Sequence, residues 1–380
     1  MKKPIFYVPF ISQKGLENLR SYKYNGVDKS LCARLFLNAF WERVVEKMPR
    51  WLAPNAITLA GGLFCAAAAA LAMVLAPTYR ETVPRWACFV YAVLIFLYQT
   101  MDNIDGKQAR RTGAGSPLGE LLDHGVDSLV MGMFVMVVAS VLGGGGAATV
   151  LAGTVVLAPF HLSHWEEYHA GVLVMGELTG PTEMQVAVML LLCGAGVAGP
   201  AVCAPHARTL LLLCALGALA LCANYARNVV RRVRAGTSVH PVARPAQALA
   251  QIAPFGAWLA CALLWAAGTR DTVDAHPAWY LVAITLAFGA ATQQLIAQRV
   301  CGEPVAFLRP VLVPYAVAAL YGALRLAGLA SFIRGTVVLA FVLVSSLLIE
   351  AVFVASVIYQ LSSFLEIRPF HITPKALPLK

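Results

Sequence analysis

Four aspartates lie close together in the sequence, at spacings that pair them on helical faces. Asp102 and Asp105 are three residues apart, and Asp123 and Asp127 are four apart, so each pair shares a face if its segment is helical. Both segments adjoin apolar sequence, and a carboxylate near hydrocarbon is costly unless it is paired or bound to a metal ion. Oxygen ligands in this number suit Mg²⁺ or Mn²⁺, and two such ions could clamp a diphosphate. The pattern therefore predicts that the four aspartates hold two divalent ions.

Two glycines and an arginine accompany the aspartates. Gly106 and Gly119 remove side chains about one turn from the carboxylates, which leaves room for a substrate to approach the backbone. Arg110 follows Gly106 by four residues on the same helical face and can donate a fork of hydrogen bonds to phosphate. Ser116 and Pro117 predict the N-cap and first turn of the second helix. This combination favours a phosphate-handling site over an ordinary charged loop beside a membrane.

The composition of the chain indicates which elements position these residues. Of the 380 residues, 59% are hydrophobic and 13% are charged, whereas ordinary soluble domains carry roughly 25% charged residues. Apolar runs that approach the roughly 20 residues needed to cross a bilayer recur along the whole chain. We therefore expect an all-α, polytopic membrane protein with about ten transmembrane helices. The predicted spans are 56–77, 85–101, 127–143, 147–163, 184–198, 208–226, 246–268, 277–298, 305–327 and 335–361.

The distribution of basic residues predicts the orientation of these spans. The net charge is +10, but in a membrane protein the position of each charge matters more than the sum, and no nucleic-acid partner is expected. With a cytoplasmic N-terminus, most of the 29 Lys and Arg residues fall on the cytoplasmic side, Lys375 and Lys380 among them. Both termini and the aspartate cluster are therefore expected on that side. The opposite side receives Arg80, Arg85, Arg208, Arg270, Arg325 and Arg334.

The segment before the first span has the pattern of an amphipathic helix. Asp28 or Ser30 can cap its start, and the apolar side chains that follow, Trp41 and Val45 among them, fall largely on one face. The pattern predicts a helix lying in the cytoplasmic membrane interface. A soluble helix packed under the transmembrane bundle is the alternative.

These motifs resemble a known family. The arrangement Asp102-x2-Asp105-Gly106-x2-Ala109-Arg110-x8-Gly119-x3-Asp123-x3-Asp127 reproduces in full the signature of the CDP-alcohol phosphotransferases. The flanking residues of this stretch, together with 22–31 and 49–59, resemble the eukaryotic choline/ethanolamine phosphotransferase branch. Trp165-Glu-Glu-Tyr-His169 is similar to its fungal-type members. The resemblance covers residues 18–185 closely, and beyond them only the ten-span plan.

The resemblance implies an enzyme and a reaction. A diacylglycerol (or alkyl-acylglycerol) hydroxyl would attack the β-phosphorus of CDP-ethanolamine or CDP-choline, which releases CMP and forms phosphatidylethanolamine or phosphatidylcholine. It also implies a homodimer in the endoplasmic reticulum or a related endomembrane. The chain would divide into a cytoplasmic segment, 1–50, catalytic helices, 51–226, and a lipid-acceptor and dimer region, 227–380.

The sequence leaves two alternative functions open. The first is the same chemistry with another alcohol, such as inositol or glycerol phosphate. The second is a transporter whose aspartates bind a coupling cation, although their position at one interface and the lack of related halves disfavour it.

The resemblance also implies roles for individual residues. Asp102 and Asp123 would bridge the two metal ions. His124 would accept the proton of the acceptor hydroxyl, since its ordinary pKa, near 6.5, suits a base at neutral pH. Asp127 is the alternative base, in which case His124 only orients it. The residues expected to contact the CDP-alcohol are Asn55, Gly106, Arg110, Gly119 and Glu120, with Glu120 facing the cytidine.

Other polar residues outside the signature have two interpretations each. One group of aromatic and acidic residues either contacts the amine of the head group, through cation–π and charge interactions, or forms an aromatic belt at the membrane interface. That group consists of Trp165, Glu166, Glu167 and Tyr168. In the late spans, Gln293, Gln294 and Glu350 either join helices or line a route for the lipid acceptor.

Overall fold

A computed structural model describes residues 3–240, 242–307, 309–329 and 333–372. The ends of the predicted regions 1–50 and 227–380, with Lys375 and Lys380, lie outside these residues.

The described chain is predominantly helical with almost no strands, as the sequence predicts. The N-terminal segment contains α1 (Gln13–Asn18), strand β1 (Gly26–Asp28), a π-helical turn (Ala33–Leu37) and α2 (Asn38–Lys47). The helices that carry the signature and its surroundings are α3 (Pro54–Leu75), α4 (Arg85–Thr112), α5 (Pro117–Leu142), α6 (Gly146–Val156) and α7 (Ala158–Ala170). Strand β2 (Leu173–Met175), α8 (Pro181–Ala198), a 3₁₀ helix (Pro200–His206), α9 (Ala207–Arg234) and α10 (Pro245–Ala250) follow. The remaining helices are α11 (Ala253–Gly268), α12 (Arg270–Ala275), α13 (Pro277–Val300), α14 (Leu312–Leu326) and α15 (Gly335–Leu365).

The apolar helices confirm the all-α, polytopic membrane architecture. Within the described residues, eight helical segments are long and apolar enough to cross a membrane, and α11 and α14 are shorter apolar helices. One crossing combines α6 with α7, and another combines the 3₁₀ helix with α9. These ten segments correspond to the ten predicted spans. The cytoplasmic orientation of the termini stays a prediction.

Several helices continue past the ends of the predicted spans. The second span was expected to end at residue 101, where charges begin, but α4 runs on to Thr112. Backbone hydrogen bonding does not stop at a charged residue, and α4 ends only at Gly113, which adopts the left-handed conformation with φ of 67°. The Ser116 hydroxyl then accepts a hydrogen bond from the Gly119 amide at 3.1 Å and caps α5, as predicted. The first two aspartates therefore sit on α4 and the other two on α5, on either side of a short turn.

The predicted amphipathic helix is built from the π-helical turn and α2. Its buried side chains, Leu37, Trp41 and Val45, pack against α3 and α4 in one apolar cluster. Leu35 and Phe36 on its other side are exposed. The helix thus packs against the bundle and presents apolar side chains outward, and its location in a membrane interface stays a prediction.

A short parallel strand pair, β1 with β2, fastens the N-terminal segment to the connection between α7 and α8. Val27 pairs with Val174 at its centre. The sequence does not predict this pair, because strands of three residues carry too little alternation to be recognised. The Ser30 hydroxyl adds a 2.6 Å hydrogen bond to Glu183 at the start of α8. Together these contacts hold residues 22–24 near α5.

A glycine makes the close packing of α5 on α13 possible. A Cβ on Gly132 would lie 1.9 Å from the Thr285 Oγ1 and 2.7 Å from the Thr285 Cβ, so rotating the threonine does not relieve the contact. Gly132→Ala should therefore destabilise the fold by about 1–3 kcal/mol, the usual cost of overpacking. The Tm of the purified variant in detergent measures this loss of stability. Gly194→Ala on α8 is the matched control, because a Cβ there has no neighbour within 4 Å in the described chain. Equal Tm values for the two variants would contradict the expected strain.

Candidate active site

Three of the four signature aspartates converge. One oxygen from each of Asp102, Asp123 and Asp127 lies within 4.8 Å of the others. Asp102 comes from α4, whereas Asp123 and Asp127 come from successive turns of α5. Side chains four residues apart on a helix lie one above the other, so α5 presents its two carboxylates on the side that faces Asp102.

The fourth signature aspartate, Asp105, has a different partner. It is buried, and the Thr58 hydroxyl on α3 donates a hydrogen bond to its Oδ2. Asp105 is not part of the group of three oxygens. The structure therefore brings together three of the predicted ligands, and a metal-binding role for Asp105 stays a prediction.

The three converging carboxylates fit a divalent cation. Within the described chain, the Asp123 Oδ1 is buried and has no hydrogen-bond partner, an arrangement that is costly unless a ligand occupies that side. Three carboxylates at one point also repel each other, and carboxylate oxygens are the donors that Mg²⁺ and Mn²⁺ prefer. The cluster is thus a candidate metal centre built by Asp102, Asp123 and Asp127.

Tyr98 orients one of the candidate ligands. Its hydroxyl, on α4, donates a 2.6 Å hydrogen bond to the Asp127 Oδ1. Loss of such a supporting bond typically weakens metal binding about 10–100-fold, so Tyr98→Phe should raise the Mg²⁺ concentration needed for half-maximal activity by at least about tenfold. Tyr91→Phe, on the same helix, is the control, because the Tyr91 hydroxyl is buried without a partner in the described residues. Unchanged Mg²⁺ dependence in Tyr98→Phe would argue against the metal centre.

His124 lies next to this cluster. Its Nδ1 is 3.7 Å from the Asp127 Oδ2, and its Nε2 is buried with no hydrogen-bond partner among the described residues. The Tyr24 ring and the His164 ring flank the imidazole, with centroids 6.1 Å and 5.0 Å away. A buried ring nitrogen without a partner in the described chain, on a histidine that adjoins the candidate metal centre, is compatible with a proton acceptor, and this role stays a prediction.

The predicted CDP-alcohol contacts fall at the same end of α3, α4 and α5. Asn55 donates from its Nδ2 to the Pro369 carbonyl at 2.7 Å. Its Oδ1 is 3.4 Å from the position that a Cβ on Gly119 would take. Arg110 is exposed, and its Nη1 is 3.6 Å from the corresponding position at Gly106. Asn55 thus lies beside Gly119, and Arg110 lies beside Gly106. The roles of these four residues in substrate binding stay predictions.

Glu120 belongs to a buried ion-pair network that the sequence did not reveal. The Arg299 Nη2 donates to the Glu120 Oε1, and the Tyr22 hydroxyl donates to the same carboxylate at 2.7 Å. Burial and the adjacent Glu120 carboxylate raise the pKa of the Tyr22 phenol above its ordinary value, so Tyr22 stays a donor at neutral pH. From the charge distribution, Arg299 is expected among the basic residues on the cytoplasmic side, and no local motif marks it.

The four head-group candidates do not face one point. Successive residues on a helix are about 100° apart around its axis, so the segment 165–168 points in several directions. Trp165 is buried and donates to the Gln251 side chain at 3.1 Å, whereas Glu167 lies beside Arg299, with 3.2 Å between the Glu167 Oε2 and the Arg299 Nε. Only Glu167 of the four joins the network around Glu120.

The polar residues of the late spans separate into two kinds. The Gln293 Nε2 donates to Glu350 at 2.7 Å and to the Gly125 carbonyl at 3.1 Å, which joins α13 to α15 and α5. Gln294 instead lines a small, mostly apolar cavity with Phe10 and Phe353. Gln293 and Glu350 therefore connect helices, which is one of the two roles that the sequence suggests for them.

Comparison with known proteins shows the family of the chain. The sequence model of the CDP-alcohol phosphatidyltransferase family matches residues 51–291. A "CDP-alcohol phosphatidyltransferase class-I family protein 2" of Dictyostelium discoideum is 38% identical, over 83% of this chain and 76% of its own length.

Relatives from plants and yeast are similar to this chain as well. Choline/ethanolaminephosphotransferase 1 of Arabidopsis thaliana is 30% identical over 96% of this chain and 99% of its own length. Choline/ethanolaminephosphotransferase 1 of Saccharomyces cerevisiae is 40% identical over 49% of this chain and 48% of its own length. The family match covers more than half of the chain, and it includes all four signature aspartates. The chain therefore belongs to the CDP-alcohol phosphatidyltransferase family and is a membrane-embedded phosphotransferase.

Proposed function

We propose that this enzyme transfers phosphoethanolamine, phosphocholine or both from the CDP-alcohol to diacylglycerol or alkyl-acylglycerol, with release of CMP. The observation that carries the proposal is the half-buried group of Asp102, Asp123 and Asp127 next to His124, whose Nε2 is buried and has no hydrogen-bond partner within the described part of the chain. The choice of an amino alcohol is supported by the printed names of the Arabidopsis and yeast relatives. It is also supported by the branch-specific motifs around the signature.

The proposed reaction is a single displacement. The glycerol hydroxyl oxygen forms a bond to the β-phosphorus while the bond between that phosphorus and the bridging oxygen breaks. CMP leaves with the bridging oxygen, and the hydroxyl proton passes to the His124 Nε2. Asp127, 3.7 Å from the His124 Nδ1, stabilises the resulting imidazolium and is the alternative proton acceptor.

The carboxylates of Asp102, Asp123 and Asp127, with Asp105 as a fourth candidate, would hold Mg²⁺ or Mn²⁺. Two bound ions would neutralise the diphosphate and stabilise the leaving phosphate. Asn55, Gly106, Arg110 and Gly119 would hold the CDP part, since glycine lets phosphate approach the backbone and the guanidinium can fork onto phosphate oxygens. Binding and alignment, rather than a covalent intermediate, then supply the catalysis.

We also propose where the enzyme is located and how it assembles. The excess of basic residues on the predicted cytoplasmic side supports an active site that faces the cytoplasm. We assign the enzyme to the endoplasmic reticulum or a related endomembrane. Residues 51–226 would form the catalytic part, and 227–380 would contribute the lipid-acceptor route and the contacts of a homodimer.

A comparison of donors tests the proposed head group. The purified protein in nanodiscs, with diacylglycerol and Mg²⁺ or Mn²⁺, is given CDP-ethanolamine or CDP-choline, and CMP is measured. We expect diacylglycerol-dependent CMP formation with at least one donor, and the ratio of the two rates defines the head-group preference. CMP formation only when a CDP-activated lipid is supplied with inositol or glycerol phosphate would contradict the proposal and favour the other alcohols.

A further inference from the structure

We propose that Arg299 is a positioning residue for the transfer reaction, which acts by holding α5 and α7 together at the level of His124. The inference rests on the proposed function, in which His124 accepts the proton. Arg299 lies on α13, outside residues 51–291 that match the family model. Its role would therefore link the C-terminal part of the chain to the signature helices.

The first observation is the geometry around the guanidinium. The Arg299 Nη2 contacts the Glu120 Oε1 on α5, and the Arg299 Nε lies 3.2 Å from the Glu167 Oε2 on α7, an ion-pair contact without hydrogen-bond geometry. The Arg299 Nη1 also donates to the Tyr22 hydroxyl oxygen at 2.8 Å. The side chains of Arg299, Glu120 and Glu167 are only 8%, 7% and 2% exposed. One buried guanidinium thus bridges two carboxylates from different helices.

The second observation is the continuation of this network to His124. The Glu167 Oε2 lies 3.0 Å from the His164 Nδ1, and the His164 ring meets the His124 ring edge to face with centroids 5.0 Å apart. Glu120 lies four residues before His124 on α5, so both face the same side of that helix. The guanidinium therefore acts on His124 by two routes, one along α5 and one through Glu167 and His164.

The charges explain why an arginine is needed. Glu120 and Glu167 have buried carboxylates that contact the same guanidinium, whose positive charge offsets the cost of burying two negative charges near each other. Arginine presents several donors in a fixed fork and can bind both, whereas a lysine ammonium is a single point charge. A cavity of about 300 Å³, lined in part by Glu167, Arg299 and Tyr22, gives the Glu167 carboxylate room to move away from Glu120 once the guanidinium is lost. Such separation would displace His164 and the His124 imidazole from the substrate.

The test is a double-mutant cycle on the transfer rate. Arg299→Met, Glu167→Gln and the double variant are compared with the wild type for kcat and for the KM of CDP-ethanolamine and CDP-choline. A displacement of about 1 Å can cost about 10²-fold in rate, so we expect kcat of Arg299→Met to fall by about 10–100-fold. The donor KM should stay within about twofold in each single variant, and the double variant should be no slower than the slower single variant, because both residues act through one network. Arg299→Lys should recover part of the loss.

The controls separate positioning from folding. Arg325→Met removes another arginine that pairs with a carboxylate, Asp271 at 3.1 Å, and should leave kcat unchanged. Binding of CMP, measured by calorimetry, reports the nucleotide site without the transfer step and should be equal in all folded variants. If Arg299→Met does not fold, the isosteric Glu167→Gln and the conservative Arg299→Lys carry the test, and both should lower kcat.

Three results would overturn the inference. Losses that multiply in the double variant would show that the two residues act independently. Wild-type kcat in Arg299→Met protein that binds CMP would show a purely structural role. A raised KM for the CDP-alcohol with unchanged kcat in Glu167→Gln would make Glu167 a head-group ligand instead. A wild-type protein that transfers to neither donor would refute the proposed function first, and that outcome is distinct from these three.

Discussion

Asp123→Asn is expected to lower the rate of CMP formation by at least about 10³-fold, because charge stabilisation by a bound ion is worth several kcal/mol in the transition state. The Asp123 carboxylate is central to the candidate metal centre: one of its oxygens lies within 4.8 Å of an oxygen from each of Asp102 and Asp127, and its Oδ1 has no protein partner among the described residues. An amide at this position keeps the shape but loses the charge. The variant should also bind fewer Mn²⁺ ions, which electron paramagnetic resonance measures directly.

Asp271→Asn is the matched control for this substitution. Asp271 is an aspartate on α12 whose partner is Arg325, and its loss should change neither CMP formation nor Mn²⁺ binding. If Asp123→Asn binds Mn²⁺ as the wild type does and keeps its rate, the carboxylates are not the metal centre. The account of the active site would then be wrong.

His124→Gln should lower kcat by about 10²–10⁴-fold, the range for removing a general base. Glutamine can still form a hydrogen bond near Asp127 but cannot take up the proton at neutral pH. Because His124 contributes no oxygen to the metal centre, the Mn²⁺ stoichiometry and the KM for the CDP-alcohol should stay near the wild-type values. Initial rates at saturating diacylglycerol, with donor concentration varied, give both constants.

The control for this variant is His206→Gln, an exposed histidine on the 3₁₀ helix that should have no effect. A wild-type kcat in His124→Gln would contradict the role of His124 and favour Asp127 as the base. That result would leave the metal centre and the proposed reaction intact.

The sequence predicts the membrane architecture well because its signals are local. Apolar runs identify the ten segments, and Ser116 with Pro117 marks the start of α5. The spacing predicts that four carboxylates converge, and three of them do, those of Asp102, Asp123 and Asp127, whereas Asp105 bonds to Thr58 instead. Each of these inferences depends on residues within a few helical turns of one another, where periodicity alone determines which side chains share a face.

The remaining features depend on contacts between distant parts of the chain. Nothing near Asp105 in the sequence indicates that Thr58 would be its partner, and nothing near Arg299 indicates that two glutamates would surround it. The pairing of Val27 with Val174 likewise joins segments with no recognisable strand pattern. A basic residue at the end of an apolar span ordinarily faces solvent or lipid head groups, so Arg299 could be recognised as buried only from the packing of α13 against its neighbours.

The most direct test of the proposed reaction follows both products of one turnover. The purified enzyme in nanodiscs receives CDP-ethanolamine or CDP-choline labelled in the head group, with and without diacylglycerol, and CMP and labelled lipid are quantified together. The account predicts that with at least one donor the two products appear in equal amounts, only when diacylglycerol is present, and not with Asp123→Asn. CMP that forms without diacylglycerol, or that exceeds the labelled lipid, would indicate hydrolysis and contradict direct transfer to the glycerol hydroxyl.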